Sequence, residues 1–446
     1  MVNYDFENEE ISNVCNNMII YAVSKRASDI HFDPTEKGLK VRLRIDGVLQ
    51  DHTIVPIKYQ KNLITRLKLI SNMNITESRL PQDGAIKDTI NGIDLDMRVS
   101  SLNTNLGEKI VIRILDYSKS TEGLEALGFT PKNLVKIKKM IEVPNGIILI
   151  TGATGTGKST TCYTMLQYLN KEETNIITVE DPIEMNIEGI NQVQVNSEIG
   201  LTFGRVLRSI LRQDPNIILI GEIRDSETAK IAVRASITGH LVFSTVHTNN
   251  SLSTIERLLD MEVERYLLSS ALTGIVSQKL ARRLCKNCRK TRPTTDYEKA
   301  VFKEALGKDV NEIQDVNGQC ENCRSGYYGR IAIQEVLVIT DEIRNAINDK
   351  NFKREDLREL VYTKNVTTLL QDGLEKVLEG ITTFEEIYKN VAIDNELDDR
   401  YDEDYKQELK DMKVVTNNDS NDSDNNKVIE IETIDKISNE ETTDVI

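Results

Sequence analysis

An α/β fold built on a parallel sheet with helices on both faces is predicted for residues 132–393, behind a smaller α+β module at 1–120. Three observations predict it. Apolar, β-branched runs at 146–151, 175–180, 217–221 and 241–246 alternate with helical stretches near 158–170, 202–212 and 226–238, as strand–helix–strand units of a parallel sheet do. A glycine-rich segment, Gly152-Ala153-Thr154-Gly155-Thr156-Gly157-Lys158-Ser159, sits between the first such strand and its helix. Ahead of residue 121 the pattern differs, with period-two alternation and a hairpin turn that suit a separate sheet.

In the first module, Ile11, Val14, Cys15, Met18, Ile19 and Ala22 recur at helical spacing within 8–27. Leu39, Val41, Leu43 and Ile45 then alternate with Lys40, Arg42, Arg44 and Asp46, and Asp46-Gly47 turns the chain into a strand at 48–54. A helix is expected over 58–71, a strand through Ile93, Leu95, Met97 and Val99, and another at 109–115. The Gly- and Pro-punctuated stretch 121–131 reads as a linker.

Composition narrows the function class. The chain has 446 residues, 39% hydrophobic and 28% charged, enough for two or three domains. Its start is acidic and unlike a signal peptide, and no apolar run nears the roughly 20 residues of a membrane span. A cytosolic protein that meets a membrane only through partners is expected. The net charge is −15. Residues 394–446 carry 18 Asp/Glu against 6 Lys/Arg, or −12, leaving −3 for the rest. That acidic, Asn- and Ser-rich tail is expected to be disordered, apart from an optional short helix near Asp402–Met412. A near-neutral body without aromatic–basic interleaving argues against a nucleic-acid translocase.

The glycine-rich segment is a complete phosphate-binding loop. Its backbone N–H groups and the following helix N-terminus favour a phosphate. Lys158 can reach the β- and γ-phosphates of ATP and Ser159 can hold Mg²⁺, with Thr160 next in the helix. Glu222 follows the apolar run 217–221 and should emerge beside the Mg²⁺, because ligands sit beyond the carboxyl ends of parallel strands. Glu180, Asp181 and Glu184 end another strand, and hydrolysis needs a group to orient and deprotonate the attacking water. His247 ends the strand at 241–246, placed to sense phosphate.

Cys285-Lys-Asn-Cys288 and Cys320-Glu-Asn-Cys323 form two C-x₂-C pairs separated by 31 residues. In a cytosolic chain this favours a closed tetrahedral Zn²⁺ site over a disulfide or redox pair. The insertion that carries it should span about 282–330. Cys15 and Cys162 fall on apolar helical faces and read as core.

Taken together, these motifs resemble the type II secretion and type IV pilus assembly ATPases over residues 21–393. The carriers are Ser28-Asp-Ile-His-Phe32, Arg79-Leu-Pro-Gln-Asp-Gly84, Arg98-Val-Ser100, the phosphate loop and Glu180-Asp-Pro-Ile-Glu184. They continue through the run 207–225 and Thr238-Gly-His-Leu-Val-Phe-Ser-Thr-Val-His-Thr248. The resemblance implies a RecA-like P-loop core with a zinc insertion and a PAS-like N-terminal domain. It implies Glu184 as general base, Glu222 as the Mg²⁺-shell carboxylate, and His247 as a link from nucleotide to the neighbouring subunit. Arg98 and Arg113 would be brought to the phosphates by the N-terminal domain. It further implies a homo-hexamer acting on an inner-membrane platform protein, and the four cysteines point to assembly rather than retraction. A DNA-uptake filament is the alternative cargo, and a nucleotide-gated scaffold is disfavoured by intact Lys158, Glu184 and Glu222. Ala153, Asn216 and Asn250-Ser251 depart from the usual Pro, Asp and Asp-Ala without removing a reacting group. With about 27 residues before Ser28, the family's additional N-terminal domain, and cyclic-dinucleotide binding through it, are expected to be absent.

Overall fold

The structure is a computed structural model that describes residues 2–90, 93–115, 123–323, 325–351, 353–362 and 366–391. The acidic tail expected at 394–446 lies outside them, as does the start of the linker.

The N-terminal lobe runs α1 (Ile11–Ser24), β1 (Ala27–Thr35), β2 (Gly38–Ile45), β3 (Val48–Pro56), α2 (Ile57–Ile70), β4 (Gln82–Ile90), β5 (Ile93–Thr104) and β6 (Gly107–Leu115). Its strands form one antiparallel sheet in the order β3-β2-β1-β6-β5-β4. Alternation decides which face is buried: Leu39, Val41 and Leu43 join Val14, Met18, Leu63 and Leu67 in one core, under α1 and α2. Two strands are additions to the sequence reading. β1 contains Pro34 and β4 is polar, so neither shows a clear apolar period.

The second lobe begins with α3 (Pro131–Ile141), β7 (Gly146–Thr151), α4 (Lys158–Leu169), β8 (Ile176–Glu180), β9 (Asn191–Gln194), α5 (Phe203–Ile210), β10 (Ile217–Ile220), α6 (Ser226–Ile237) and β11 (Leu241–Val246). It continues through α7 (Ser251–Asp260), α8 (Arg265–Ala271) and β12 (Leu272–Leu284) to an excursion of β13 (Lys290–Pro293), α9 (Asp296–Leu306) and β14 (Glu312–Asp315). It closes with β15 (Tyr327–Val338), α10 (Asp341–Asn348), α11 (Arg354–Val361), α12 (Leu369–Leu378) and α13 (Phe384–Val391). The sheet order is β15-β12-β7-β11-β10-β8-β9.

Both faces of this sheet are covered. Ile147, Leu149, Ile218 and Ile220 pack into one core, while their neighbours Ile148, Ile150, Ile217 and Leu219 pack into another. Strands buried on both sides read as continuous apolar runs, which is why β7, β10 and β11 are legible. The sheet is not wholly parallel: β15 runs antiparallel to β12 at one edge. The chain leaves the sheet at the end of β12 for the cysteine excursion and returns along β15, so the two strands form a long hairpin arm. Among the described residues, no helix is long and apolar enough to cross a membrane.

Candidate nucleotide site and cysteine cluster

The phosphate loop links the fully buried β7 to α4, whose first residue is Lys158. Gly152, Gly155 and Gly157 have φ of 150°, 81° and 86°, a region that favours glycine. Space adds a second constraint. A Cβ on Gly152 would lie 2.4 Å from the Gln278 carbonyl oxygen, and one on Gly157 2.9 Å from Gln278 Nε2. Gln278, on β12, donates to the Thr156 carbonyl at 2.6 Å and accepts from Thr161 at 2.8 Å, clamping the loop from beneath. Thr156 Oγ1 donates to the Ala153 carbonyl at 2.9 Å. Ala153, Thr154, Gly155 and Thr160 are exposed and Ser159 is half-buried.

Lys158 is 8% exposed, and its ammonium donates to the Gly152 and Ala153 carbonyls at 2.8 and 2.9 Å. Burial pushes its pKa down, opposed by Cys162 and by the carboxylates of Glu222 and Glu184. The lysine therefore lies within electrostatic reach of both carboxylates.

Glu222 and His247 emerge beyond the neighbouring strands β10 and β11. One Glu222 oxygen pairs with Arg224 at 2.5 Å. The other is buried, accepts no hydrogen bond, and has His247 Nε2 3.4 Å away. A buried carboxylate oxygen that accepts no hydrogen bond can take a hard cation, and Ser159, on the first turn of α4, offers the hydroxyl that would join Glu222 in holding Mg²⁺.

The three carboxylates at 180–184 separate by environment. Glu180 is 4% exposed and accepts from Tyr163 Oη, from Thr178 at 2.5 Å and from Gln192 at 3.0 Å. It is saturated and cannot approach a substrate. Asp181 and Glu184 are exposed. Asp181 acts on Arg224 and Glu184 on Lys158.

Arg98 and Arg113 are paired across β5 and β6 and share with Glu184 the lining of a cleft of about 1380 Å³. Arg98 donates to the Ile183 carbonyl at 2.6 Å, and Arg113 to Asp29 at 3.1 Å. None of residues 152–160 lines this cleft. The structure thus gathers Lys158, Glu222, His247 and Glu184 at one edge, and places the two arginines beside Glu184 but away from the phosphate loop.

A family model described as type II/IV secretion system protein matches residues 5–389. The chain belongs to that family. It is 45% identical over 380 residues to the type II secretion system protein E of Dickeya dadantii (strain 3937), covering 85% of this chain and 75% of that one. It is 44% identical over 378 residues to the type IV pilus assembly ATPase PilB of Acinetobacter baylyi, covering 83% and 65%. The crystal structure of the pilus retraction motor PilT with bound ADP aligns with a TM-score of 0.56 at 26% identity, over 84% of this chain and 95% of that one. The chain is an ATPase of that family.

The four cysteines of this secretion ATPase converge in the excursion between β12 and β15, with all four sulfurs within 4.8 Å of one another. Cys285–Cys320, Cys320–Cys323 and Cys288–Cys323 are 3.7, 3.6 and 3.4 Å apart. Four thiolates at about 2.3 Å from one Zn²⁺ would sit about 3.8 Å apart, so the cluster fits a tetrahedral ion. Neither knuckle leaves an open position. Cys15 and Cys162 are buried core residues, as expected.

Sequence reasoning missed Gln278, Arg224, Gln192 and Tyr163. Gln278 stands 122 residues from Thr156, whose carbonyl it holds, and Gln192 lies beyond a turn with no motif of its own, so neither carries a local signal.

Proposed function

We propose that this chain is the hexameric, ATP-driven motor of a type IV pilus or type II secretion pseudopilus, acting from the cytoplasm on an inner-membrane platform protein. Loop N–H groups and Lys158 hold the β- and γ-phosphates. Ser159 and Glu222 would hold Mg²⁺, which when bound would supply positive charge against the phosphate oxygens. Glu184 takes the proton of the attacking water, and His247 reads the phosphate state through Glu222 towards a neighbouring subunit. Arg98 and Arg113 move onto the phosphates when the lobes close, since guanidinium grips two oxygens without a protonation change. The antiparallel lobe serves in this scheme as the PAS-like domain, and Zn²⁺ in the four-cysteine site stiffens the β12–β15 arm.

The observation that carries this reading is Glu184: an exposed carboxylate, near enough to act on the phosphate-loop lysine, in the cleft that also holds the two arginines. The cysteine cluster supports assembly over retraction by the family resemblance. Phosphate release by the assembled, Mg²⁺-loaded protein tests the base. Glu184→Gln is expected to lower kcat by about 10²–10⁴-fold while ATP still binds; equal rates would remove Glu184 from the role. Deleting the gene and scoring surface filaments, secreted enzymes and transformation separates the cargoes, including a DNA-uptake filament.

A further inference from the structure

Tyr163 lies on α4, the helix that opens with the phosphate-loop lysine, and is 3% exposed. Its hydroxyl donates to Glu180 Oε2 and accepts the Glu184 backbone N–H at 3.2 Å. One phenol oxygen therefore joins three things: the phosphate-loop helix, the buried end of β8, and the backbone of the residue proposed as base. Burial and the Glu180 carboxylate hold the phenol's pKa well above its usual value, so it stays a donor.

The rest of the Glu184 segment is tied down in the same manner. Gln194 accepts the Ile183 N–H at 3.3 Å. Gln192 donates to the Met185 carbonyl at 2.9 Å and accepts the Ile187 N–H at 2.8 Å, while also donating to Glu180 at 3.0 Å. Backbone groups from 183 to 187 are thus fixed by side chains, while the Glu184 side chain itself is exposed. A carboxylate that must meet a water molecule is left free, on a main chain that is not. Glu180 supplies the anchor: its charge is buried and fully hydrogen-bonded, which makes each bond it receives strong and the loss of a donor expensive.

We propose that Tyr163, held by Glu180, is a positioning residue that fixes Glu184 relative to the phosphate-loop helix. It touches no reacting atom. This inference rests on Glu184 being the base, and the test separates the two. Tyr163→Phe keeps the ring in the core and removes only the hydroxyl, leaving Glu180 Oε2 without that donor and the Glu184 N–H without an acceptor.

In steady-state hydrolysis by the full-length, assembled protein, Tyr163→Phe should lower kcat about 10- to 30-fold, because displacement of a reacting group by about 1 Å is worth up to about 100-fold. KM for ATP should stay within about threefold, since the phosphate loop is untouched. In the Glu184→Gln background the same substitution should change the residual rate less than about twofold, the non-additivity of two residues serving one function. A merely structural tyrosine would lower both backgrounds equally, or raise KM with kcat unchanged, and either result overturns the proposal. So does an unchanged kcat in Tyr163→Phe when Glu184→Gln is inactive, which leaves Glu184 standing as base. If Glu184→Gln hydrolyses like wild type, it is the base assignment that fails instead. Should Tyr163→Phe not assemble, Glu180→Gln carries the test. It keeps an acceptor for the phenol but loses the charge, and the same fall in kcat, again absent in the Glu184→Gln background, is expected; full wild-type kcat would overturn the role of the pair.

Discussion

The cysteine excursion and the carboxyl edge of the parallel sheet use polar side chains in opposite ways. In the excursion the polar groups singled out are partnered: four sulfurs converge on one point, Arg292 is enclosed by Glu298 and Asp315, and α9 starts with a reciprocal cap between Thr295 and Glu298. At the sheet edge the groups that matter are left incomplete. Glu222 has a buried oxygen that accepts no hydrogen bond, the Lys158 ammonium borrows loop carbonyls, and Glu184 is exposed on a pinned backbone. The difference teaches how to tell support from chemistry. Saturated polar clusters hold shape; at the sheet edge Glu180 and Gln278 hold neighbours whose own side chains are left with room for a further partner.

That contrast can be broken most severely at the metal. Structural zinc in small cysteine sites contributes roughly 10–16 kcal/mol of binding energy to the folded form, so Cys320→Ser should remove zinc from the purified protein and unfold the excursion. Metal analysis should fall from one Zn²⁺ per chain to none, and protease should cut within 285–326. Hydrolysis should persist within about threefold, a limit set by the rate scale on which 1.4 kcal/mol is tenfold. Loss of ATP binding on zinc removal would show that the two regions are one unit.

A smaller effect sharpens the comparison from the other side. Glu335, on β15, is a buried carboxyl that accepts the Ser251 N–H at 3.1 Å, at the start of the helix after His247. Burial raises its pKa, with hydrogen bonds from Ser251 and Ser277 opposing. A carboxyl whose folded pKa lies above its unfolded one contributes stability that is fully present below the unfolded pKa, and that is lost as pH rises through the folded pKa. Glu335→Gln should therefore melt at a temperature that falls less than that of wild type as pH rises above the ordinary carboxylate range. Parallel melting curves for the two proteins would disprove the raised pKa of Glu335.

The smallest effect concerns the cap of α9. Thr295 accepts the Glu298 N–H at 3.2 Å and Glu298 accepts the Thr295 N–H at 2.9 Å. Thr295→Ala should destabilise the excursion by about 1 kcal/mol, seen as faster amide exchange in α9 with the hydrolysis rate unchanged. A change in kcat would tie this helix to the nucleotide.

What could be seen in advance follows from how local each feature is. The phosphate loop was legible because eight consecutive residues carry it, and the four-cysteine cluster because each C-x₂-C pair is local. Strands β7, β10 and β11 were legible because burial on both faces demands an unbroken apolar run. β1, with Pro34 and an irregular apolar pattern, and the polar β4 were not, because their place is decided by pairing partners. The antiparallel run of β15 was hidden for the same reason, since direction within a sheet leaves no mark on side-chain period.

By itself, then, the sequence determined that this protein binds a nucleoside triphosphate on an α/β core and gathers four thiols, because both chemistries need only neighbouring residues. The tertiary structure alone decided that Glu180 is an anchor while Glu184 stays free, that Gln278 clamps the loop, and that Arg98 and Arg113 stand together beside Glu184. Whether a charged group reacts or merely supports depends on its exposure and on donors that arrive from other strands, and neither is written at its own position in the chain.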